Sequence, residues 1–289
     1  MQYFGRIFRP PSEARSLIVQ ATIGCSHNKC TFCDMYKEKR FQIRKVSDVI
    51  KDFEWARKQY PYVERIFLAD GDALMMKTEH LLEILQYIKK TFPECKRVTS
   101  YGSPKSILIK TQEQLNSLAK AGLYMVYMGL ESGNEQILRD INKGETADEI
   151  VRAGIMVKTA GILLSVTAIS GLGGKALCSE HAVDTGKAFS RMKPDFIGIL
   201  TLMIEDGTEM QRRYLNGDFE LLSPQDVARE TLLLLENLDC EGTVFRSNHA
   251  SNYLSLSGTL NYDKDIMIRQ VKSALDGKLS FKKEKYRGI

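Results

Sequence analysis

Short β-rich runs alternate with amphipathic helical stretches over roughly the first two hundred residues of the chain. The predicted strands are residues 16–24, 63–69, 97–101, 123–130, 162–169 and 195–202. Stretches with helical periodicity separate them, at residues 47–60, 78–91, 111–121, 135–141, 146–160 and 179–191. Strands joined by helical crossovers pair in parallel. The even spacing therefore favours an α/β fold, a partial (β/α)6 TIM-type barrel, over a doubly wound sheet.

The remaining residues divide into a lead-in and two C-terminal parts. Residues 1–13 precede the first strand, and residues 14–205 form the predicted barrel core. Residues 206–277 contain helical patterns at 223–238 and 263–275 and a strand-like run at 242–248, which predicts a C-terminal α/β extension packed on the barrel. Residues 278–289 carry five basic residues and one acidic residue, and this basic tail is expected to be a solvated end.

Composition limits the class of protein. With 43% hydrophobic and 27% charged residues, the 289-residue chain is typical of a soluble globular protein. The tail holds most of the net charge of +5, so no basic face is expected and a nucleic-acid partner is not predicted. There is no apolar run long enough to span a membrane and no apolar signal core at the N-terminus. A cytoplasmic location without a membrane partner is therefore expected.

Five of the six predicted strands run into glycine together with polar or sulphur-containing side chains. In a β/α barrel, ligands bind at the C-terminal ends of the strands. In chain order, these strand ends hold Cys25, then Asp70, Gly71 and Asp72, then Ser103, then Glu131 and Ser132, then Gly171 and Gly173. Their positions predict a single ligand site on one side of the barrel.

Three cysteines, Cys25, Cys30 and Cys33, lie within nine residues after the first strand. Three soft ligands suit a metal or an iron–sulphur cluster, and three rather than four leave one coordination position open. A zinc site with His27 as fourth ligand and a redox-sensing thiol group are the alternative interpretations. The other cysteines, Cys95, Cys178 and Cys240, are scattered and are expected to be small buried hydrophobic residues.

These motifs resemble the radical S-adenosylmethionine (SAM) superfamily over residues 14–205. The segment 30–33 keeps the aromatic residue before the last cysteine, and the segments 129–133 and 141–144 resemble the methylthiotransferase-like and cobalamin-linked branch. The chain has the spacing Cys-x4-Cys-x2-Cys, one residue longer in its first gap than the usual family pattern. The loop beside the cluster is therefore expected to differ from that of other members.

The resemblance implies the cofactors and the reaction type. Cys25, Cys30 and Cys33 would bind three irons of a [4Fe-4S] cluster, and SAM would bind the fourth. A one-electron donor such as flavodoxin or ferredoxin would reduce the cluster. Cleavage of SAM would then give methionine and a 5′-deoxyadenosyl radical that abstracts hydrogen from the substrate.

The resemblance also assigns candidate SAM contacts. The turn 70–72 (Asp70, Gly71, Asp72) replaces the Gly-Gly-Glu turn that binds the SAM ammonium group, and Ser103 lies at the next strand end. Glu131 or Ser132 would reach the ribose or the methionyl end. Gly171 and Gly173 would allow close backbone approach, and Phe32 and Leu200 would pack against the adenine.

Structural interpretations of the same residues remain open. The two aspartates of the turn 70–72 would also suit a helix-preceding turn, and Glu131 would suit a buried ion pair with an arginine. The glycines at residues 171–174 would equally suit a phosphate.

The substrate prediction depends on the segment after the last candidate strand. Arg246, His249 and Asn252 are expected to line the mouth of the barrel, with Arg246 facing an anionic group. A polar surface loop is the alternative. Because no RNA- or peptide-docking module is visible, a small-molecule substrate is predicted. Modification of a macromolecule, or a non-catalytic zinc or iron–sulphur regulatory protein, are the competing functions.

Overall fold

The computed structural model describes residues 1–288. Within them, the strands are β1 (Leu17–Gln20), β2 (Thr22–Ile23), β3 (Gln42–Ile43), β4 (Arg65–Ala69), β5 (Arg97–Tyr101), β6 (Leu123–Glu131), β7 (Leu163–Ser170), β8 (Phe196–Thr201), β9 (Val244–Ser247) and β10 (Leu256–Thr259). The α-helices are α1 (Val46–Gln59), α2 (Thr78–Thr91), α3 (Pro104–Leu108), α4 (Gln112–Ala121), α5 (Glu135–Asp140), α6 (Ala147–Thr159), α7 (Cys178–Met192), α8 (Glu209–Leu215), α9 (Pro224–Glu236) and α10 (Lys264–Leu275). No helix among the described residues is long and apolar enough to cross a lipid bilayer.

Eight strands form one sheet in the order β1-β4-β5-β6-β7-β8-β9-β10. The registers of β1 with β4, β4 with β5, β5 with β6, β7 with β8 and β8 with β9 are parallel. Only β10 is antiparallel to its described neighbour, β9. The predicted α/β fold class, parallel strands joined by helices with a C-terminal α/β extension, is confirmed.

The start of the barrel differs in detail from the sequence prediction. The first predicted strand is divided, because β2 leaves β1 and pairs antiparallel with β3. The loop between β2 and β3 contains all three clustered cysteines. Helix α1 begins at Val46, one residue before the predicted start, and its N-cap is Lys45, whose carbonyl accepts hydrogen bonds from the amides of residues 48 and 49.

The first compact unit comprises Met1–Asn28, Met35–Met128 and Met156–Leu164. It contains β1, β4, β5 and most of β6, with helices α1, α2 and α4 packed together in sequence order. The N-terminal lead-in contacts β1: the Tyr3 hydroxyl donates a hydrogen bond to the carbonyl of Ile18 at 2.8 Å. Phe67, Tyr101 and Tyr127 form an edge-to-face cluster with ring centroids 5.1–6.1 Å apart.

The second compact unit comprises Lys29–Asp34, Gly129–Ile155 and the described chain from Ser165 onward. Along β7, alternate residues are buried, with Ala168 and Ser170 on the buried face and Thr167 and Ile169 on the more open face. Helices α7 and α9 pack on each other and over the buried face. The open face of β7, β8 and β9 is therefore the more accessible side of these strands.

Residues 206–277 contribute two strands to the sheet. The strand predicted near residues 242–248 is β9, which pairs with β8. Strand β10 and the short helices α3 and α8 were not predicted from the sequence.

The basic tail, which the sequence predicts to be a solvated end, is partly buried. The side chain of Arg287 is 4% exposed, and its guanidinium lies 4.0 Å from the ring centroid of Tyr253. It donates to the carbonyls of Ser251 at 2.6 Å and Leu202 at 3.1 Å. Lys278, Lys283 and Lys285 remain exposed. Cation–π contact and buried carbonyl acceptors stabilise Arg287 where charge alone would keep the tail in water.

Candidate functional site

The turn 70–72 lies directly after β4 and is deeply buried. Both of its aspartates are 0% exposed. A Cβ atom on Gly71 would lie 2.8 Å from the ring of Tyr36 and 3.1 Å from the carbonyl oxygen of Gly24. Only glycine therefore fits the middle of this turn, between the aromatic ring and the loop that leads to the cysteines.

Asp72 connects three segments of the first unit. Its Oδ1 accepts a hydrogen bond from the amide of Ser103 at 3.0 Å. Its Oδ2 accepts from the hydroxyls of Ser103 at 2.7 Å and Ser26 at 2.5 Å. The Ser103 hydroxyl also caps α3 by accepting from the amide of Ser106. The side chains of Asp72 and Ser103, both predicted SAM contacts, are thus also engaged within the chain.

Asp70 has one engaged and one orphaned carboxylate oxygen. Its Oδ2 accepts from Lys39 Nζ at 2.7 Å, from the amide of Gly24 at 3.1 Å and from Gln20 Nε2 at 3.2 Å. Within residues 1–288, its buried Oδ1 has no hydrogen-bond partner, and neither has the hydroxyl of Tyr36. Burial and the nearby Asp70 carboxylate raise the pKa of Tyr36. A buried, unsatisfied carboxylate oxygen has the chemistry to accept a ligand ammonium group.

The first part of the cysteine loop turns at Asn28, which has a left-handed φ of 47°. The amide of Asn28 donates to Cys25 Sγ at 3.4 Å. Its side-chain Nδ2 donates to the carbonyls of Tyr36 at 2.8 Å and Lys39 at 3.3 Å. Asparagine tolerates this backbone conformation better than most residues. The longer gap of the motif is thus occupied by an anchored turn.

The second part of the cysteine loop, Lys29–Asp34, belongs to the second unit. Asn142 Nδ2 donates to the carbonyl of Lys29 at 3.1 Å. The amide of Thr31 donates to the carbonyl of Ile141 at 2.9 Å, and the carbonyl of Thr31 accepts from the amide of Met210 at 3.0 Å. The backbone around Cys30 is thus held by the segment after α5 and by the first turn of α8. Cys30, Phe32 and Cys33 are half-buried.

Three thiols in one loop have the chemistry to bind an iron–sulphur cluster. No disulfide joins any of the cysteines in the described chain. Among residues 1–288, no three His, Cys, Asp or Glu side chains converge on a position for a single metal ion. In a [4Fe-4S] cluster each cysteine binds a different iron, so the sulphur atoms do not need to converge on one point.

The scattered cysteines have a different chemistry. Cys240 is buried, whereas Cys95 and Cys178 are half-buried, so only the first has the expected burial. Burial raises the pKa of Cys240 to about 11. Burial and the Glu230 carboxylate raise the pKa of Cys178 to about 12. Thiols that stay protonated at neutral pH are poor metal ligands.

Glu131 ends β6 in a left-handed conformation, with φ 62°. Its carboxylate folds back over Gly129, where a Cβ atom would clash with it, and pairs with Lys143 Nζ at 3.1 Å. Burial disfavours the Lys143 ammonium, but the charges of Glu131 and Cys30 outweigh it and raise the pKa of Lys143. Glu131 thus forms an ion pair, but with a lysine rather than with the arginine of the alternative interpretation, and its contact with SAM stays a prediction.

Ser132 is fully buried and contacts His181 of α7. The Ser132 hydroxyl lies 2.8 Å from His181 Nδ1, and His181 Nε2 lies 3.0 Å from the carbonyl oxygen of Ile169. Because a carbonyl only accepts, His181 Nε2 carries a proton and donates it to Ile169. Sequence reasoning missed His181, although a polar residue on the apolar side of a helix is a usable signal.

The glycine-rich turn after β7 is tightly packed. Gly171 has a φ of 88°, and its carbonyl accepts a hydrogen bond from the amide of Gly174 at 3.0 Å. A Cβ atom on Gly173 would lie 2.9 Å from both Ile137 Cδ1 and the carbonyl oxygen of Leu177. Glu230 of α9 accepts from the amide of Gly171 at 2.8 Å. Sequence reasoning also missed this acidic residue on an otherwise apolar helix face.

Arg246 lies on the open face of the second unit. It is exposed, and its register partners are Gly198 on β8 and Ser257 on β10. Leu200 lies on the same face as Gly198, two residues further along β8, and is half-buried. The Arg246 guanidinium donates a long hydrogen bond of 3.5 Å to the carbonyl of Phe245 and pairs with no carboxylate of the described chain. It is therefore available to an anionic ligand.

His249 and Asn252 are engaged within the loop after β9. Asn252 is 3% exposed, donates to the carbonyl of Ile199 at 2.8 Å and accepts from the Thr201 hydroxyl at 2.8 Å. His249 Nδ1 lies 2.9 Å from the Ser251 hydroxyl, and burial together with Lys282 lowers its pKa. The structure thus places Arg246 on the open face and uses Asn252 to anchor the loop to β8.

Comparison with curated proteins gives partial matches. The 4′-phospho-dehydrooxetanocin synthase of Priestia megaterium is 25% identical over 168 residues, which are 52% of this chain and 23% of that protein. The tRNA uridine(34) acetyltransferase of Methanocaldococcus jannaschii is 24% identical over 115 residues, 38% of this chain and 20% of that protein. The chain thus spans about a fifth to a quarter of the length of these relatives.

Solved structures share the fold. Methylornithine synthase (PylB) has a TM-score of 0.56 and 14% identity, over 89% of this chain and 68% of that one. Coproporphyrinogen III oxidase (HemN) from Escherichia coli has a TM-score of 0.57 and 18% identity, over 77% of this chain and 54% of that one. The methyltransferase TsrM from Kitasatospora setae, solved with cobalamin and a [4Fe-4S] cluster, has a TM-score of 0.55 and 20% identity, over 68% and 38% of the two chains.

The family comparison covers most of the barrel. The sequence profile of the radical SAM superfamily matches residues 19–184, which is more than half of the chain. The match includes the clustered cysteines and the strand-end residues up to the glycine-rich turn after β7. The protein therefore belongs to the radical SAM superfamily, and it is an enzyme whose cofactors are SAM and a [4Fe-4S] cluster.

Proposed function

We propose that this enzyme abstracts a hydrogen atom from a small-molecule substrate that carries an anionic group. The observation that carries the proposal is the guanidinium of Arg246, exposed on the open face of the sheet and not paired with a carboxylate of the described chain. A guanidinium binds a carboxylate or phosphate through two parallel hydrogen bonds. The glycine at position 198, opposite Arg246 in the register, leaves room beside it.

Cys25, Cys30 and Cys33 are the proposed cluster ligands, on the basis of their spacing and chemistry. When bound, the cluster and SAM supply a 5′-deoxyadenosyl radical. The chain fixes the backbone beside the ligands through the anchored turn at Asn28 and through Asn142. Such anchoring would orient the thiols as ligands of the cluster.

The proposed SAM contacts fall into two groups. The orphaned Oδ1 of Asp70 would accept the SAM ammonium group, while Asp72 holds Ser103 and the cysteine loop. We propose residues 14–205 as the barrel core that holds the SAM site, including the turn 70–72. Phe32 and Leu200 would pack the adenine, Gly171 and Gly173 would lie against the cofactor, and Glu131 or Ser132 would reach the ribose or the methionyl end.

The names of the relatives support two substrate classes. One relative is named for a 4′-phospho compound, which agrees with an anionic small molecule facing Arg246. Another is named as a tRNA-modifying enzyme, which makes RNA the second candidate. The near-neutral charge of the chain outside its basic tail favours the small molecule, because RNA binding depends on many phosphate contacts.

The first experiment tests the chemistry. Anaerobically purified and reconstituted protein is expected to contain about four irons per chain. With a reductant it should release methionine and 5′-deoxyadenosine from SAM. A Cys30→Ala variant should lose both iron and SAM cleavage. A colourless zinc protein that leaves SAM intact would overturn the proposal.

The second experiment tests the substrate class. The reconstituted enzyme is incubated separately with the small-molecule fraction and with the total tRNA of a cell extract, and 5′-deoxyadenosine is quantified. We expect the small-molecule fraction to stimulate 5′-deoxyadenosine formation. Passing this fraction over an anion-exchange resin, which removes anionic compounds, should abolish the stimulation. Arg246→Ala should lower that stimulation at least about tenfold without changing SAM binding, and Arg246→Lys should retain part of it. Stimulation by tRNA alone, or full turnover in Arg246→Ala, would contradict the proposal.

A further inference from the structure

A buried carboxylate on α9, Glu230, lies outside the residues assigned to SAM or substrate. We propose that Glu230 is a positioning residue that holds the turn after β7 in the conformation that binds SAM. The inference rests on the proposed function, because it assumes that Gly171 and Gly173 lie against the cofactor.

The contacts of Glu230 are directed at the start of this turn. Its Oε1 accepts from the Ser170 hydroxyl at 2.5 Å and from the amide of Gly171 at 2.8 Å. Ser170 is the last residue of β7, and Gly171 is the first residue of the turn. Glu230 therefore binds the chain at the point where it leaves the sheet. Glu230 itself lies on α9, some sixty residues further along the chain.

The burial of Glu230 indicates that its contacts with Ser170 and Gly171 are its main interactions. The residue is 3% exposed, and its Oε2 has no hydrogen-bond partner within the described chain. Burying a carboxylate without a cation is costly unless strong hydrogen bonds compensate. The nearest ring nitrogen, His181 Nε2, lies 3.9 Å away and directs its proton to the carbonyl of Ile169. The compensation for Glu230 thus comes from the donors of Ser170 and Gly171 and from the neighbouring Cys178 thiol, which burial and the carboxylate keep protonated by raising its pKa.

The turn itself needs such support. Gly171 adopts φ 88°, a conformation that glycine reaches easily but that glycine also leaves easily. A carboxylate that binds the Gly171 amide removes that freedom before the cofactor arrives. Pre-organisation of this kind raises affinity because less conformational entropy is lost on binding.

The chain offers a matched pair of variants on α9. Glu230→Gln keeps the size of the side chain but removes its charge and leaves only one carbonyl oxygen as acceptor. Thr231→Val, at the next position, is a control. Thr231 is also buried and lines, with Glu230, the small cavity between β7 and helices α7 and α9, but its hydroxyl donates to the carbonyl of Val227 in its own helix. Gly171→Ala tests the SAM site directly, because alanine is strained at the φ of Gly171.

The experiment measures SAM affinity on the reconstituted holoenzyme and amide hydrogen exchange of the turn without SAM. We expect Glu230→Gln to raise the SAM Kd about tenfold, with unchanged iron content, because the amide oxygen still accepts from Ser170 and Gly171 but both hydrogen bonds lose their charge assistance. The amide of Gly171 should exchange faster in this variant. Thr231→Val should change neither quantity more than about twofold.

The outcomes separate this inference from the SAM-site proposal. If Gly171→Ala weakens SAM binding but Glu230→Gln does not, the role of Glu230 is overturned and the site stands. If neither variant affects SAM binding, both are overturned. If Glu230→Gln fails to fold, Ser170→Ala provides the test, since it removes one partner of Glu230 and should raise the SAM Kd about threefold. An unchanged Kd in Ser170→Ala would then overturn the role of Glu230.

Discussion

Asp72 Oδ2, after β4, accepts a hydrogen bond of 2.5 Å from the hydroxyl of Ser26, the residue next to Cys25. The same oxygen accepts from Ser103 after β5. One buried carboxylate thus joins the start of the cysteine loop to the ends of two neighbouring strands. Asp72 stands where the family has a glutamate, and its contacts are those of a residue that positions neighbouring segments.

Replacing Asp72 is expected to destabilise the first unit. Asp72→Ala leaves the amide of Ser103 and two hydroxyls without their acceptor, which should lower the free energy of unfolding by about 2–4 kcal/mol. Asp72→Asn should lower it less, because the amide oxygen still accepts from the Ser103 amide. Urea unfolding measures both. The exposed Asp148→Ala is the control, and an effect of Asp72→Ala no larger than that of the control would contradict the assignment.

Gly71→Ala is expected to destabilise the protein by about 1–3 kcal/mol. Its Cβ atom would contact the ring of Tyr36 and the carbonyl of Gly24, both of which are held by the surrounding chain. Thermal unfolding measures the loss. Gly198→Ala is the control, since its Cβ atom would meet only one methyl group, at 3.3 Å. Equal melting temperatures for the two variants would show that the turn has room that the structure does not give it.

Arg287→Ala is expected to lower the free energy of unfolding by about 2–4 kcal/mol, because a buried guanidinium loses its contacts with Tyr253, Ser251 and Leu202 together. Lys285→Ala, in the same tail but exposed, should have little effect. Urea unfolding compares the two. A truly solvated tail would instead give the same small change for both variants.

The stability of the folded protein is expected to fall in alkaline solution. Burial and a nearby carboxylate raise the pKa of Tyr127, and burial and Glu284 raise that of Tyr253 to about 12. An unfolded tyrosine ionises near pH 10, so above about pH 10 the unfolded state releases protons that the folded state keeps. Stability should thus be unaffected by these groups below about pH 10 and decline from there towards pH 12.

Urea unfolding at a series of pH values, with phenolate absorbance of the folded protein, tests this decline. Tyr253→Phe should reduce the slope, because one raised pKa is removed. Ionisation of all tyrosines near pH 10 in the still folded protein would contradict the prediction.

The elements of the barrel could be predicted from the sequence because their signals are local. Strand and helix periods and the lengths between them specify β4, β5, β6, β7 and β8 to within a few residues. The split between β1 and β2 was not predictable, because it depends on pairing with β3, some twenty residues later. Strand β10 is stabilised by β9 rather than by its own sequence, which contains a glycine.

The side chains available for chemistry can be read from the sequence: three closely spaced thiols, and glycine and acidic residues at the ends of successive strands. How each of them is used depends on the folded chain, because their hydrogen-bond partners lie far away in the sequence. The tertiary structure left Asp70 with an orphaned oxygen, engaged Asp72 with Ser26 and Ser103, and brought Glu230 to Gly171. A residue type can be read from the sequence, but whether its polar atoms are already satisfied depends on the folded neighbours.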